Sequence, residues 1–187
     1  MKQLSNKKGI SLLELLMAIF LSSITLGLIA QMLTLFIQSS QQTILNNQAN
    51  SVGMLTVETI EQRIRNFGPT SVKTCEGQSN CIILEQQYRQ YIDDTGIQIE
   101  YFDPPNSLKI EFTGNEIILT REVGTPTTIE LKGFTLLETS AIKLIGTTGV
   151  PVDGEYVTII FEINLYAATH QKNFNFTASY SFKIDLV

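Results

Sequence analysis

Between Lys8 and Arg63 the chain has no Lys or Arg, and ahead of Pro69 it has no Pro. The second absence leaves nothing to break a long N-terminal helix. Only one His, His170, stands beside two Cys, too few ligands for a zinc centre, so no metal is expected. There is no nucleophile elbow, phosphate loop or metal triad, and no pair of carboxylates in a catalytic context, so the sequence points away from an enzyme and implies no cofactor. With 13 basic against 18 acidic residues the net charge is −5, and no basic cluster is interleaved with aromatics. Such a chain repels phosphate backbones overall, and no nucleic-acid partner is expected. Internal repeats are absent as well.

What is present is an apolar run from Ile10 to Ile37 whose only charge is Glu14. A helix of that length reaches roughly 42 Å, enough to cross a ~30 Å hydrocarbon layer with some tilt. Lys2, Lys7 and Lys8 precede the run and no cation follows it until Arg63, which places the N-terminus in the cytoplasm and the remainder outside. An ordinary secretory signal has a shorter apolar core with a small-residue cleavage site at its far end, and neither is found here. A carboxylate inside a membrane-spanning helix costs at least a few kcal/mol, so Glu14 is expected to have a specific partner.

Lys7-Lys8-Gly9, then Ile10, then Glu14 resembles the prepilin signal of the type IV pilin superfamily: a basic leader ending in Gly, a hydrophobic residue, and Glu at the fifth mature position. The resemblance is tight from Lys7 to about Ile37 and looser beyond. It implies that a prepilin peptidase cuts between Gly9 and Ile10 and that Ile10 becomes N-methylated. It also implies that the new amine of Ile10 pairs with Glu14 of a neighbouring subunit as a filament assembles. In a low-dielectric medium the attraction between such charges is far stronger than in water, which gives the pair its use as a register device. The i, i+4 spacing equally permits a contact between Glu14 and its own N-terminus. Loss of the three leader lysines leaves 10 basic against 18 acidic residues, a mature charge of −8. Ser22, Ser23, Gly27 and Ala30 are small residues that allow close helix approach, although no second Gly stands four positions from Gly27.

After Ile37 the composition turns polar, then Val57, Ile60, Ile64 and Phe67 recur at helical steps with Glu58, Glu61, Arg63 and Arg65 off the stripe. Gly68-Pro69 supplies a cap and a stop. The reading is therefore a leader over 1–9, a transmembrane or filament-core helix over 10–37, an amphipathic continuation over 38–67 and a β-rich extracytoplasmic domain over 68–187. The fold class is α+β, a long helix packed on an antiparallel β-sheet. Strands are expected at Cys81 to Glu85, Ile97 to Phe102, Leu108 to Phe112, Glu116 to Glu122, Thr128 to Leu131, Phe134 to Glu138, Tyr156 to Tyr166 and Phe174 to Val187, with Thr113-Gly114-Asn115 as a hairpin turn.

Cys75 and Cys81, placed outside the membrane, can form a disulfide that pins a loop beside the helix end; the other reading is two free thiols. His170 falls in a polar turn. Asp93, Asp94, Glu100 and Asp103 carry oxygen ligands, but in no calcium-loop spacing, and read as a solvated turn.

Val57 to Gly68, with acids followed by arginines, is similar to the helix end of J-type pseudopilins and core minor pilins, whereas K-type tip subunits typically lack the Glu that Glu14 supplies. The function expected is that of a minor pilin or pseudopilin that helps form a tip complex and initiates assembly. The alternative is an adhesive or DNA-uptake pilin acting as a binding module, and a third is a plain signal-anchored surface protein. Partners would be other minor pilins or pseudopilins, the major pilin, the prepilin peptidase and the cytoplasmic membrane. The chain would be single-pass before assembly and part of a surface or periplasmic filament after it.

Overall fold

Uninterrupted helix-forming sequence from the apolar run to Phe67 yields one helix, α1, Leu12–Phe67. The computed structural model describes residues 11–76, 78, 80–122, 124–146 and 152–185. The helix ends where Gly68, at φ 64°, takes the left-handed conformation that glycine adopts without penalty, and its N–H donates to the Ile64 carbonyl at 3.0 Å. Pro69 then bars a further turn. By compactness the chain divides after Asn47 into two units.

In the first unit the α1 side chains from Leu12 to Ile37 are solvent-exposed throughout. The second unit, from Gln48 on, is α+β. Among the described residues nine strands follow the helix: β1 Ser71–Thr74, β2 Cys81–Asp93, β3 Gly96–Thr113, β4 Glu116–Arg121, β5 Thr127–Ile129, β6 Thr135–Leu136, β7 Ala141–Ile145, β8 Tyr156–Ala167 and β9 Lys172–Lys183. All pairings are antiparallel. The strands form two sheets, one in the order β1-β2-β3-β4-β5 and one centred on β8, which has β6 and β7 along one side and β9 along the other.

The core draws on the helix and both sheets. Along β8, Val157, Ile159, Phe161, Ile163 and Leu165 are fully buried at every second position, the period of a half-buried strand. They join Ile82, Leu84, Leu108, Ile110, Ile117 and Leu119 of the first sheet and Ile60, Ile64 and Phe67 of α1 in one cluster. The helix stripe also extends backwards through small residues, Ala49, Gly53 and Thr56, all buried. The Thr56 hydroxyl donates to the Val52 carbonyl at 2.8 Å, which lets a polar side chain lie inside. Among the described residues no buried side-chain polar atom lacks a hydrogen-bond partner.

The strands depart from the sequence reading at β1, β7 and β3, and at β2, which runs to Asp93 where Glu85 was the expected end. β1 and β7 are additional; each has a single fully buried apolar residue, Val72 or Ile142, too little for a visible alternation. The two strands expected at Ile97 to Phe102 and Leu108 to Phe112 are one strand, β3. Between the pairs Gln86↔Asn106 and Tyr88↔Tyr101, Gln87 alone stands opposite the four residues Phe102 to Pro105. Pro104 and Pro105 cannot donate to a ladder, so they sit in this bulge and the strand resumes beyond it. The β3–β4 turn has Gly114-Asn115 between the paired Thr113 and Glu116, with Gly114 at φ 55°.

Gly53 of α1 lies against Phe176 of β9: a Cβ built there would lie 2.4 Å from the Phe176 ring. Gly53→Ala gains up to ~1 kcal/mol of helix propensity but forces overpacking that costs about 1–3 kcal/mol. Thermal unfolding of the full chain in detergent should show Gly53→Ala destabilising in the natural background. With Phe176→Ala already present, the same change should become neutral or stabilising.

Candidate assembly site

At the start of α1 the sequence Ser11-x-x-Glu14 closes on itself. The Ser11 backbone N–H donates to Glu14 Oε2 at 3.0 Å, and the Glu14 N–H donates to Ser11 Oγ at 3.2 Å. This is a capping box, which satisfies two amide donors that a helix start otherwise leaves without partners. A carboxylate in the first turn also complements the positive end of the helix dipole. Glu14 thus makes its contact with the amide of Ser11, three residues back. Gly9 and Ile10, the expected cleavage and methylation positions, lie outside the described residues.

Beyond the cap, the helix provides for its own polar side chains. Ser22 donates to the Ala18 carbonyl at 2.7 Å, Ser23 to Phe20 at 2.8 Å, Thr25 to Ser22 at 2.9 Å and Thr34 to Ala30 at 2.9 Å. Back-bonding of this kind removes the need for water at these hydroxyls. The side chains around them, Leu12 to Ile37, offer an apolar surface on which Phe36, at 73 % exposure, and Met32, at 71 %, are among the most exposed. In length and composition this part of α1 is a candidate membrane span. No family model, curated protein or solved structure matches the chain.

In the second unit, Cys75 and Cys81 are joined by a disulfide with Cα atoms 5.4 Å apart, which ties the end of β1 to the start of β2. His170 lies in the exposed β8–β9 turn, where Nδ1 is 2.9 Å from the Thr169 hydroxyl. Asp93 opens the β2–β3 turn, and its Oδ1 accepts from the Thr95 N–H at 2.7 Å and the Thr95 hydroxyl at 2.6 Å. Those donors hold the Asp93 carboxyl below its ordinary range, the hydroxyl foremost. A cleft of about 530 Å³ opens at the end of α1, lined by Asn66, Gln86, Arg89, Asn106, Arg121 and Glu122 among others. Glu122 and the last helical turn, with its partial negative charge, offset the two guanidinium groups there.

Of two features outside the sequence reading, one has a sequence mark and the other has none. Ser11 has one, the S-x-x-E spacing, which identifies a cap as readily as Glu14 identifies an anchor charge. The Tyr88 hydroxyl donates to Asp185 across 97 residues of chain, a pairing that no local pattern announces. That bond, with burial and the Asp185 charge, pushes the phenol up to about 12. A phenol raised in the folded state contributes stability that is complete below its unfolded value near 10 and is lost as pH rises through 12. Ultraviolet titration should therefore show a late-ionising phenol, and Asp185→Asn should move that step to lower pH.

Proposed function

We propose that the chain is a minor pilin or pseudopilin, nearest in kind to the J-type core subunits, which joins a tip complex and primes filament assembly without catalytic activity. The observation that carries this reading is an exposed apolar helix with one acidic side chain, capped at its N-terminal end. Such a surface needs lipid before assembly and neighbouring helices after it, and Glu14 gives those neighbours a fixed register. The lysines ahead of the run and their absence behind it support an N-in, C-out insertion in the cytoplasmic membrane. Cleavage between Gly9 and Ile10 by a prepilin peptidase would supply the amine, N-methylated or not, that a neighbour's Glu14 recognises. Partners are then other minor pilins and the major pilin.

The cap and the charge pair are compatible. Glu14 Oε2 accepts from Ser11, while among the described residues Oε1 has no hydrogen-bond partner. One carboxylate can order its own helix start and still accept an ammonium from a second subunit.

Substitution separates these roles. Glu14→Gln preserves a capping box but removes the charge, and it should lower recovery of the subunit in sheared filaments by about a hundredfold, as loss of one member of a buried ion pair does. Ser11→Ala removes the cap at a cost of about 1 kcal/mol and should leave incorporation near normal. Immunoblots of membrane and filament fractions read both. Recovery of the natural chain in the membrane fraction alone would leave a plain membrane anchor as the reading, and equal incorporation of Glu14→Gln would overturn the register role of Glu14.

A further inference from the structure

Past the bulge at Phe102 to Pro105, β2 and β3 leave the sheet and pair only with each other. β1 pairs β2 no further than Glu85, and β4 pairs β3 only from Leu108 onward. Tyr88 to Asp93 and Gly96 to Tyr101 thus form a two-stranded ribbon closed by Asp94-Thr95. The register places Ile92 opposite Ile97, Gln90 opposite Ile99 and Tyr88 opposite Tyr101, so all six lie on one face. Ile92 is 82 % exposed, Ile97 71 %, Tyr101 60 % and Ile99 47 %. The Tyr88 and Tyr101 rings are 6.2 Å apart at the base of this stripe. A ribbon this narrow is marginal in water, and natural edges are normally guarded by Lys, Pro or a bulge. Between Tyr88 and Tyr101 there is neither Lys nor Pro.

Charge narrows what can cover the face. From Tyr88 to Asn106 the acids Asp93, Asp94, Glu100 and Asp103 outnumber the single base Arg89, a net −3. A second copy would bring the same −3 against it. A lipid surface would meet the two turn aspartates first, and anionic headgroups repel them. Tyr and Ile side chains on a projecting face, rimmed by acids, match the make-up of a protein-binding hot spot.

We propose that the apolar face of the β2–β3 ribbon docks a protein of different sequence, which presents an apolar surface flanked by Lys or Arg. The inference does not depend on filament incorporation and can fail while that reading stands. The test places a photo-crosslinking residue at Ile97 of the full chain in the cells that make it, with the exposed turn residue Asn115 as control. The expected result is one discrete protein adduct from position 97 only, its linked peptide mapped by mass spectrometry to an apolar segment with flanking Lys or Arg. That protein, purified, should bind the full chain in detergent with an affinity that falls as salt rises. Ile92→Ser with Ile97→Ser, and separately Asp93→Asn with Asp94→Lys, in which the amide oxygen at position 93 keeps the acceptor for Thr95, should each weaken binding roughly tenfold or more without lowering the melting temperature. A self-adduct, lipid adducts alone, equal labelling from both positions, or binding indifferent to both pairs of substitutions would each overturn the proposal.

Discussion

A carboxylate set in a run of Leu, Ile and Phe must find hydrogen-bond donors close by, and much about α1 follows from how Glu14 finds them. Desolvated anions are too costly to leave without donors, and the nearest are amides at the helix start, which themselves need acceptors. The Ser11–Glu14 box meets both needs at once. The same logic continues along the helix in Ser22, Ser23, Thr25 and Thr34, whose hydroxyls turn back onto carbonyls of the preceding turn. What remains towards the surroundings is hydrocarbon from Leu12 to Ile37. Such a surface asks for an apolar solvent, and a bilayer or a bundle of like helices serves equally.

The unit beyond Asn47 meets the opposite problem, because there the apolar side chains find one another. β8 carries the alternation that fills the core, and the last two turns of α1 lie in the same cluster through Ile60, Ile64 and Phe67. Small residues set how near the helix can come. Gly53 admits the Phe176 ring, and Ala49 is wholly buried. A bulkier side chain at position 53 would move the ring or the helix, since packed interiors have little slack. The same packing leaves the β2–β3 ribbon out: its residues beyond the bulge extend past the strands that cover the rest of the sheet.

The elements that were legible in the sequence are those with strong local causes. The helix end at Phe67 follows from Gly68-Pro69, the β3–β4 turn from Gly114-Asn115, and β8 and β9 from their alternating Ile, Phe and Tyr. The extent of β3 was not legible, because two consecutive prolines read as the end of a strand when they occupy a bulge within one. β1 escaped notice because Ser-Val-Lys-Thr has one residue to bury, and it is held by pairing with β2, a non-local cause. At the helix start, Glu14 stood out because a lone charge in an apolar run has few explanations. Its capping role was equally written in Ser11 but was overshadowed by that charge. The Tyr88–Asp185 bond depends on a chain reversal that only the folded strands determine.

The chain is left with two apolar surfaces of unlike chemistry. On α1 the surface is broad and nearly uncharged, so many positions of a neighbouring helix would bury similar area, and Glu14 is the one charge in it. On the ribbon the apolar stripe is narrow and its rim is acidic, so area is small and charge does the discriminating. A membrane or helix bundle that satisfies the first surface would reject the second because of Asp93 and Asp94. A basic, groove-bearing protein that satisfies the second would gain little from hydrocarbon side chains that stay as favourably placed in lipid. Each surface therefore selects its own class of partner, and occupation of one does not remove the physical need at the other.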